Sequence, residues 1–258
     1  DLMWIHSNNS ENAFVGLGAG ADNTTGTKNS FFGSYAGKIN TIGSYNTAIG
    51  YDAMTNSYEG YSNAALGSRA LRNNQGSGNC AIGEQALFDN NGNNNVAMGF
   101  ASMFSNFNGM SNVAIGSGSL FKNQGGSNSV AIGASAMYYA NDANVIFFTN
   151  NVAVGFEALQ GSINPANNTG INNTAIGSLS LTNNTSGRYN STGGGLALED
   201  NTTGSNNTAS GYQSLTSNTT GSGNTAIGAQ SILTNSTGSN NTAIGKCAFF
   251  TANNLTNT

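Results

Sequence analysis

Residues able to do acid–base, nucleophilic or metal chemistry are few in this chain of 258 residues, and they are scattered. The single histidine, His6, stands ahead of everything patterned. Alone it supplies neither a two-histidine metal site nor the base of a nucleophile–histidine–acid triad. It reads as an ordinary exposed residue near the start of the chain. Eleven carboxylates invite comparison with glycosidases, which hold two of them across a cleft. Glu199 and Asp200 are adjacent, so on a strand they would point apart, and Glu84, Asp89, Asp142 and Glu157 are dispersed. The glycine-rich stretches lack the Lys-Ser/Thr pair and the following helix of a phosphate loop. These residues predict no enzyme activity, no metal site and no cofactor.

Aromatic side chains, by contrast, are concentrated. Phe88, Phe104, Phe121 and Tyr138 recur at intervals of 16, 17 and 17 residues. Tyr139, Ile146, Phe147 and Phe148 follow directly. Their chemistry is contact: rings offer flat apolar faces, and tyrosine adds a hydroxyl, a combination suited to a glycan or another surface molecule. These eight residues are the candidate receptor contacts.

The intervals belong to a repeat that runs through the chain. A glycine recurs fourteen times, from Gly16, Gly33 and Gly50 to Gly211, Gly228 and Gly245. The step is 16 or 17 residues everywhere except for two adjacent steps of 22, which reach Gly155 and Gly177. Three residues after the glycine stands Ala or Ser in every copy, and the next residue is large and apolar in twelve. The residue before the glycine is apolar in twelve copies, Ala fills the position before that in eleven, and Asn lies four before the glycine in thirteen, with Ser129 the exception. A second glycine sits three residues ahead of that Asn in twelve copies.

A period near 17 is too short for the common helical repeats. Asn, Thr and Gly oppose helix, and the Ile and Val before the glycine favour strand. Each copy therefore predicts one turn of an all-β solenoid: a short strand at Ala-Ile, a turn at the glycine, a second strand at Ala-Leu and an Asn/Gly return. About fourteen turns of about 17 residues span 12–258, after a lead-in of residues 1–11. The long steps place insertions near 139–150 and 160–170, and on a solenoid neighbouring insertions bulge from one face. Stacked Asn side chains are expected to form ladders. Cys80 and Cys247 lie nine turns apart, about 43 Å at a rise of about 4.8 Å per turn, and are expected as free thiols.

Neighbours on a strand point to opposite faces, yet the Ala and Ile columns are adjacent and both apolar. One face can fill the interior of a turn. The other has no partner within its own chain, which predicts a homo-oligomer. Ala48, Ile49, Ile82, Ile115, Ile132, Ile176, Ile227 and Ile244 are the residues assigned to the repeat core or to this oligomer core.

The motif Asn-Thr-Ala-Ile-Gly-x-x-Ala/Ser-Leu, with its Asn-x-Thr-Gly-Ser-x-Asn return, resembles the head repeats of trimeric autotransporter adhesins and the longer variant in bacterial and phage tail fibres. The resemblance covers residues 12 to about 250. It implies a left-handed parallel β-roll, a homotrimer, and display outside a cell or on a phage or phage-like particle. The implied function is adhesion or recognition of a host-surface glycan or envelope receptor. A rigid spacer is the alternative, and a Thr-lined ice-binding solenoid a minor one.

Composition narrows the classes further. Charged residues make up 7% of the chain, with seven Lys+Arg against eleven Asp+Glu and a formal net charge of −4. Seven dispersed cations form no basic face, so nucleic acid is not an expected partner. No run of 18 apolar residues occurs, so a membrane-embedded helix is not expected in this segment.

Overall fold

The computed structural model describes the backbone of residues 5–6 and all of residues 11–143, 145–250 and 256–258. The chain is an all-β parallel solenoid that divides into two compact units, residues 1–127 with 144–147, and residues 128–143 with 148–258. Each unit holds seven of the turns read from the sequence. The His6 side chain lies outside the described residues.

The three residues ahead of each turn glycine form a strand. In the first unit these strands are Ala13–Val15, Ser30–Phe32, Thr47–Ile49, Ala64–Leu66, Cys80–Ile82, Val96–Met98 and Val113–Ile115. They pair in parallel with no slip of register, Ala48 opposite Ala65 and Ile49 opposite Leu66. The second unit stacks Val130–Ile132, Val152–Val154, Thr174–Ile176, Ser191–Gly193, Thr208–Ser210, Thr225–Ile227 and Thr242–Ile244 in the same way. At the head of the first unit, the backbone of Ile5–His6 pairs antiparallel with Val15 and Phe14. Nothing periodic announced that strand.

The expected second strand at Ala-Leu is not there. That segment is a tight turn in which the second and fourth residues after the glycine take positive φ, as in Arg69 (φ 59°), Leu71 (φ 50°), Gln213 (φ 55°) and Leu215 (φ 51°). Inter-turn bonding nevertheless continues: the Leu71 N–H reaches the Ala86 carbonyl, and the Gln85 N–H reaches that of Ser68. The left-handed conformation costs an L-residue on the order of 1–3 kcal/mol. Burial of Leu71, Leu87, Leu120, Leu181 and Leu215, all fully enclosed, offsets it. At the turn itself Gly50 takes φ +137°, and a Cβ there would stand 2.5 Å from the Gly67 carbonyl oxygen. Glycine is required at that point by conformation and by the approach of the next turn.

The interior settles the ambiguity of the two apolar columns. Ala48, Ala81, Ala114, Ala131, Ala175, Ala209 and Ala226 are fully buried, facing the Leu column. The Ile column points outward. Where the first two turns carry Phe14 and Phe31 in place of Ala, the Leu position is Gly20 or Gly37. A Cβ on Gly37 would lie 2.4 Å from the Phe31 ring, so the large side chain enters from one wall and is given up by the other. The two rings stack at 5.1 Å.

Two Asn ladders hold the remaining wall. In the column four ahead of the glycine, the Asn46 N–H donates to Asn29 Oδ1 at 2.9 Å, and Asn46 Nδ2 donates to the Gly60 carbonyl at 2.7 Å. A second column, the first Asn of the Asn-x-Thr-Gly return, runs through Asn23 and Asn40 in one unit and Asn184, Asn201 and Asn218 in the other. Asn201 Nδ2 donates to Asn184 Oδ1 at 2.8 Å and to the Gly204 carbonyl at 3.0 Å. Most of these buried amides are satisfied along the stack rather than across it, whereas Asn40, Asn123, Asn218 and Asn235 of the second column keep an unpaired Oδ1.

Candidate functional site

In the first unit the aromatic column is a ladder built by the turn repeat. Phe88 and Phe104 stack with ring centroids 4.9 Å apart and planes within 5°, and Phe104 and Phe121 at 5.1 Å and 12°. The Arg72 guanidinium caps the ladder 5.6 Å from the Phe88 centroid, and its Nε lies 3.7 Å from Asp52 Oδ2. All three Phe are half-buried. Stacking at the turn rise consumes the ring faces, so both faces of Phe104 are occupied by its neighbours. The ladder offers mainly ring edges, a weaker contact surface than the sequence alone indicated.

Also in this unit, the Phe147 N–H donates to the Gly125 carbonyl at 3.1 Å, which seats the tip of the first insertion. Phe147 is half-buried, whereas Val145 and Ile146 are exposed.

In the second unit Tyr138 and Tyr139 are half-buried and meet edge to face at 4.7 Å and 74°. Burial pushes the Tyr138 phenol above its ordinary range, and the neighbouring Tyr139 adds to the shift. Phe148 is 60% exposed. Next to it, the Thr149 hydroxyl bonds to the hydroxyl of Ser129. Ser129 is the one residue that breaks the first Asn column, and a side chain from the insertion provides its partner.

The second insertion is anchored by Asn168, which is buried. Its Nδ2 donates to the Tyr139 carbonyl and, at 3.0 Å, to that of Ser162; its Oδ1 accepts from the Ser162 N–H at 2.9 Å. Asn141, from the first insertion, donates to the Asn168 carbonyl at 3.0 Å. A short 3-10 turn at Pro165–Asn167, with Pro165 buried, closes the loop. Under it lies a cavity of about 20 Å³ lined by Ser129, Thr149, Asn151 and Asn168 among others, room for one water molecule.

Beside this anchored loop the second unit carries an open groove of about 670 Å³ bordered by Tyr139, Gln160, Ile163, Asn183, Asp200 and Thr202. Of the eight candidate contacts, only Tyr139 reaches it. Gln160, Ile163, Asn183 and Asp200 were missed. The available signal was the position six after the turn glycine, which reads Tyr139, Gly161, Asn183 and Asp200 through successive turns and so interrupts a row of side chains with a gap. Burial raises the Glu199 carboxyl above its usual range, and the charge of Asp200 raises it further.

Among the described residues no group of three or more His, Cys, Asp or Glu could hold a metal ion, and no helix is long and apolar enough to cross a membrane. Cys80 and Cys247 are free thiols. Compared with protein-family models, curated proteins and solved structures, the chain matches none of them.

Proposed function

We propose that this chain is a non-catalytic segment of a surface-displayed fibre, which assembles with copies of itself and recognises a host-surface glycan or envelope receptor where the repeat is interrupted. One observation carries the reading: the outward column is apolar in all seven turns of the first unit and in five of the seven of the second, with Gly193 and Ser210 the exceptions, although the interior is already filled by the Ala and Leu columns. Phe32, Ile49, Leu66, Ile82 and Met98 are strand neighbours in register, and Ile49 and Leu66 leave 42% and 48% of their surface exposed. Together they form a contiguous apolar strip on the order of 300–400 Å² in the first unit, within the range of the largest patch a typical monomer exposes, which is often functional. In the second unit Ile132, Ile176, Ile227 and Ile244 face outward in the same way.

The occupant we propose is a second and third copy of the chain. Identical turns stack with identical rise, so copies can match apolar columns turn for turn. The trimeric count, the left hand of the roll and the extracellular setting on a cell or phage-like particle rest on the resemblance of the repeat. In sedimentation equilibrium the chain should have three times its 26.2 kDa mass. Ile49→Asp with Leu66→Asp should shift it toward smaller species. A wild-type chain that stays a stable folded monomer overturns the proposal.

For recognition, exposed Ile146 in one unit and exposed Phe148 in the other support contact by the first insertion. Ile146→Ser and Phe148→Ser should weaken adhesion to target cells and leave the fold intact. The second reading is a rigid spacer, favoured by the Asn ladders within each unit. An ice-binding face is supported only locally, by the outward hydroxyl column Thr174, Ser191, Thr208, Thr225 and Thr242. The same strand position in the first unit holds hydroxyls only at Ser30 and Thr47, and otherwise Ala13, Ala64, Cys80, Val96 and Val113.

A further inference from the structure

The groove of the second unit has a composition of its own. We propose that it is a binding site for a neutral saccharide; the inference rests on the recognition role above and gives it a place and a ligand class. A volume of about 670 Å³ lies in the range of small-ligand sites, roughly 300–1,000 Å³.

The groove exists because of one turn. The backbone ladder runs from Tyr139 to Gln160, from Gly161 to Thr182, from Asn183 to Glu199 and from Asp200 to Thr216. Gly161 therefore leaves a gap between the side chains of Tyr139 and Asn183. Its φ is +84°, and a Cβ there would lie 2.6 Å from Asn168 Nδ2, so the gap is kept by the same Asn that anchors the loop. The second insertion then lifts Ile163, 79% exposed, over the edge.

The chemistry of the border selects the ligand. Gln160 and Asn183 bring amides to the border, and Asp200 a carboxylate. Thr185 and Thr202 spend their hydroxyl protons on the carbonyls of Thr202 and Thr219, at 2.9 and 3.0 Å. Their oxygens are left as acceptors. A surface with two amides and a surplus of acceptors matches a ligand rich in hydroxyl donors that can also accept. Tyr139 and Ile163 add the limited apolar contact that the C–H face of a sugar ring needs. An anionic sugar is disfavoured: no Lys or Arg borders the groove, and Asp200 stands beside Glu199. A purely apolar ligand would strip water from the amides and the carboxylate without replacing it. The site is pre-organised, since Asn168 ties Ser162 to Tyr139 and Asn141 ties the first insertion to Asn168.

The test is to apply the full chain to an array of neutral oligosaccharides and their sialylated and uronate-containing counterparts. The strongest neutral binder is then titrated calorimetrically. Tyr139→Ala, Asn183→Ala and Asp200→Ala should each weaken binding by about tenfold or more. Leu17→Ser, at an exposed residue that does not border the groove, should leave it within about twofold. Asp200 and Asn183 are exposed, so thermal melting should be unchanged in their variants. A blank array, a preference for the acidic glycans, or undiminished binding in the Asn183 and Asp200 variants would overturn the site. If the chain adheres to cells while the array is blank, the groove inference falls and the recognition role stands. If it neither adheres nor binds the array, both fall.

Discussion

The first two turns and the turns between Ser129 and Gly170 both depart from the repeat, and they do so in opposite ways. At Phe14/Gly20 and Phe31/Gly37 the change is internal and cancels: a ring enters from the strand, a side chain disappears from the facing turn, and the step stays at 17 residues. Around the long steps the change is external. Ten extra residues leave the stack, and Thr149 returns a hydroxyl to Ser129 while Asn168 ties the loop down. The lesson is that each turn encloses a fixed volume and a fixed set of hydrogen-bond slots. Departures persist where both are kept, and the freedom to vary lies outside, where a partner can be met.

That comparison can be broken most strongly at the compensated pair. Phe31→Ala should destabilise the fold by about 3–5 kcal/mol, and Gly37→Leu alone should also destabilise it, by overpacking. The double variant recreates the Ala65/Leu71 arrangement and should return to within about 1 kcal/mol of wild type in denaturant titration. Strict additivity of the two effects would refute the fixed-volume account.

A slot should cost less than a ring. Asn207→Ala removes the acceptor of the Asn224 N–H, 2.9 Å away, and the donor to the Gly221 carbonyl, also at 2.9 Å. Both groups are left buried, and the expected loss is about 2–4 kcal/mol, read from the same titration.

One departure is not compensated, and repairing it should stabilise the protein. Ser57 interrupts the second Asn ladder, and both its hydroxyl and Asn40 Oδ1 are buried without a hydrogen-bond partner. Ser57→Asn should supply the missing donor and raise stability by about 1 kcal/mol. An unchanged or lowered melting temperature would show that the slot at this turn cannot accept an amide.

The smallest effect expected is electrostatic, at the border of the groove. The folded-state pKa of Glu199 is raised, so the folded chain binds its proton more tightly than the unfolded chain. Its contribution is fully present below the unfolded value near 4.5 and is lost as pH rises through the folded value. Glu199→Gln should therefore be relatively more stable than wild type at neutral pH, with the difference shrinking on acidification.

Much of the fold was legible because the repeat is written in columns. A glycine every 16 or 17 residues, with Ala, Ile and Asn at set offsets, predicts stacked parallel strands and the first Asn ladder, both present. The second Asn ladder was legible in the Asn-x-Thr-Gly return, although Ser57 interrupts it and some turns shorten its spacing to the following glycine, as in Asn74 and Gly76. The Ala-Leu segment misled because a small residue followed by a large apolar one repeats the Ala-Ile pair of the strand, while the backbone holds Leu71 and its equivalents at positive φ. The aromatic column was legible as a ladder; that its ring faces are mutually occupied is a matter of turn rise, which residue types do not encode. The groove was hidden because its residues come from four turns and one insertion.

The sequence by itself determined the register, the number of turns and the places where the repeat is interrupted, since each follows from spacing along the chain. Tertiary structure decided which apolar column is interior. Two adjacent apolar positions are equivalent on a strand until the facing Leu wall fills most of the space between the walls, after which Ala fits inward and Ile is turned out. It also decided where a ligand could sit, because a missing side chain at Gly161 borders a groove only when the second insertion is tied beside it by Asn168.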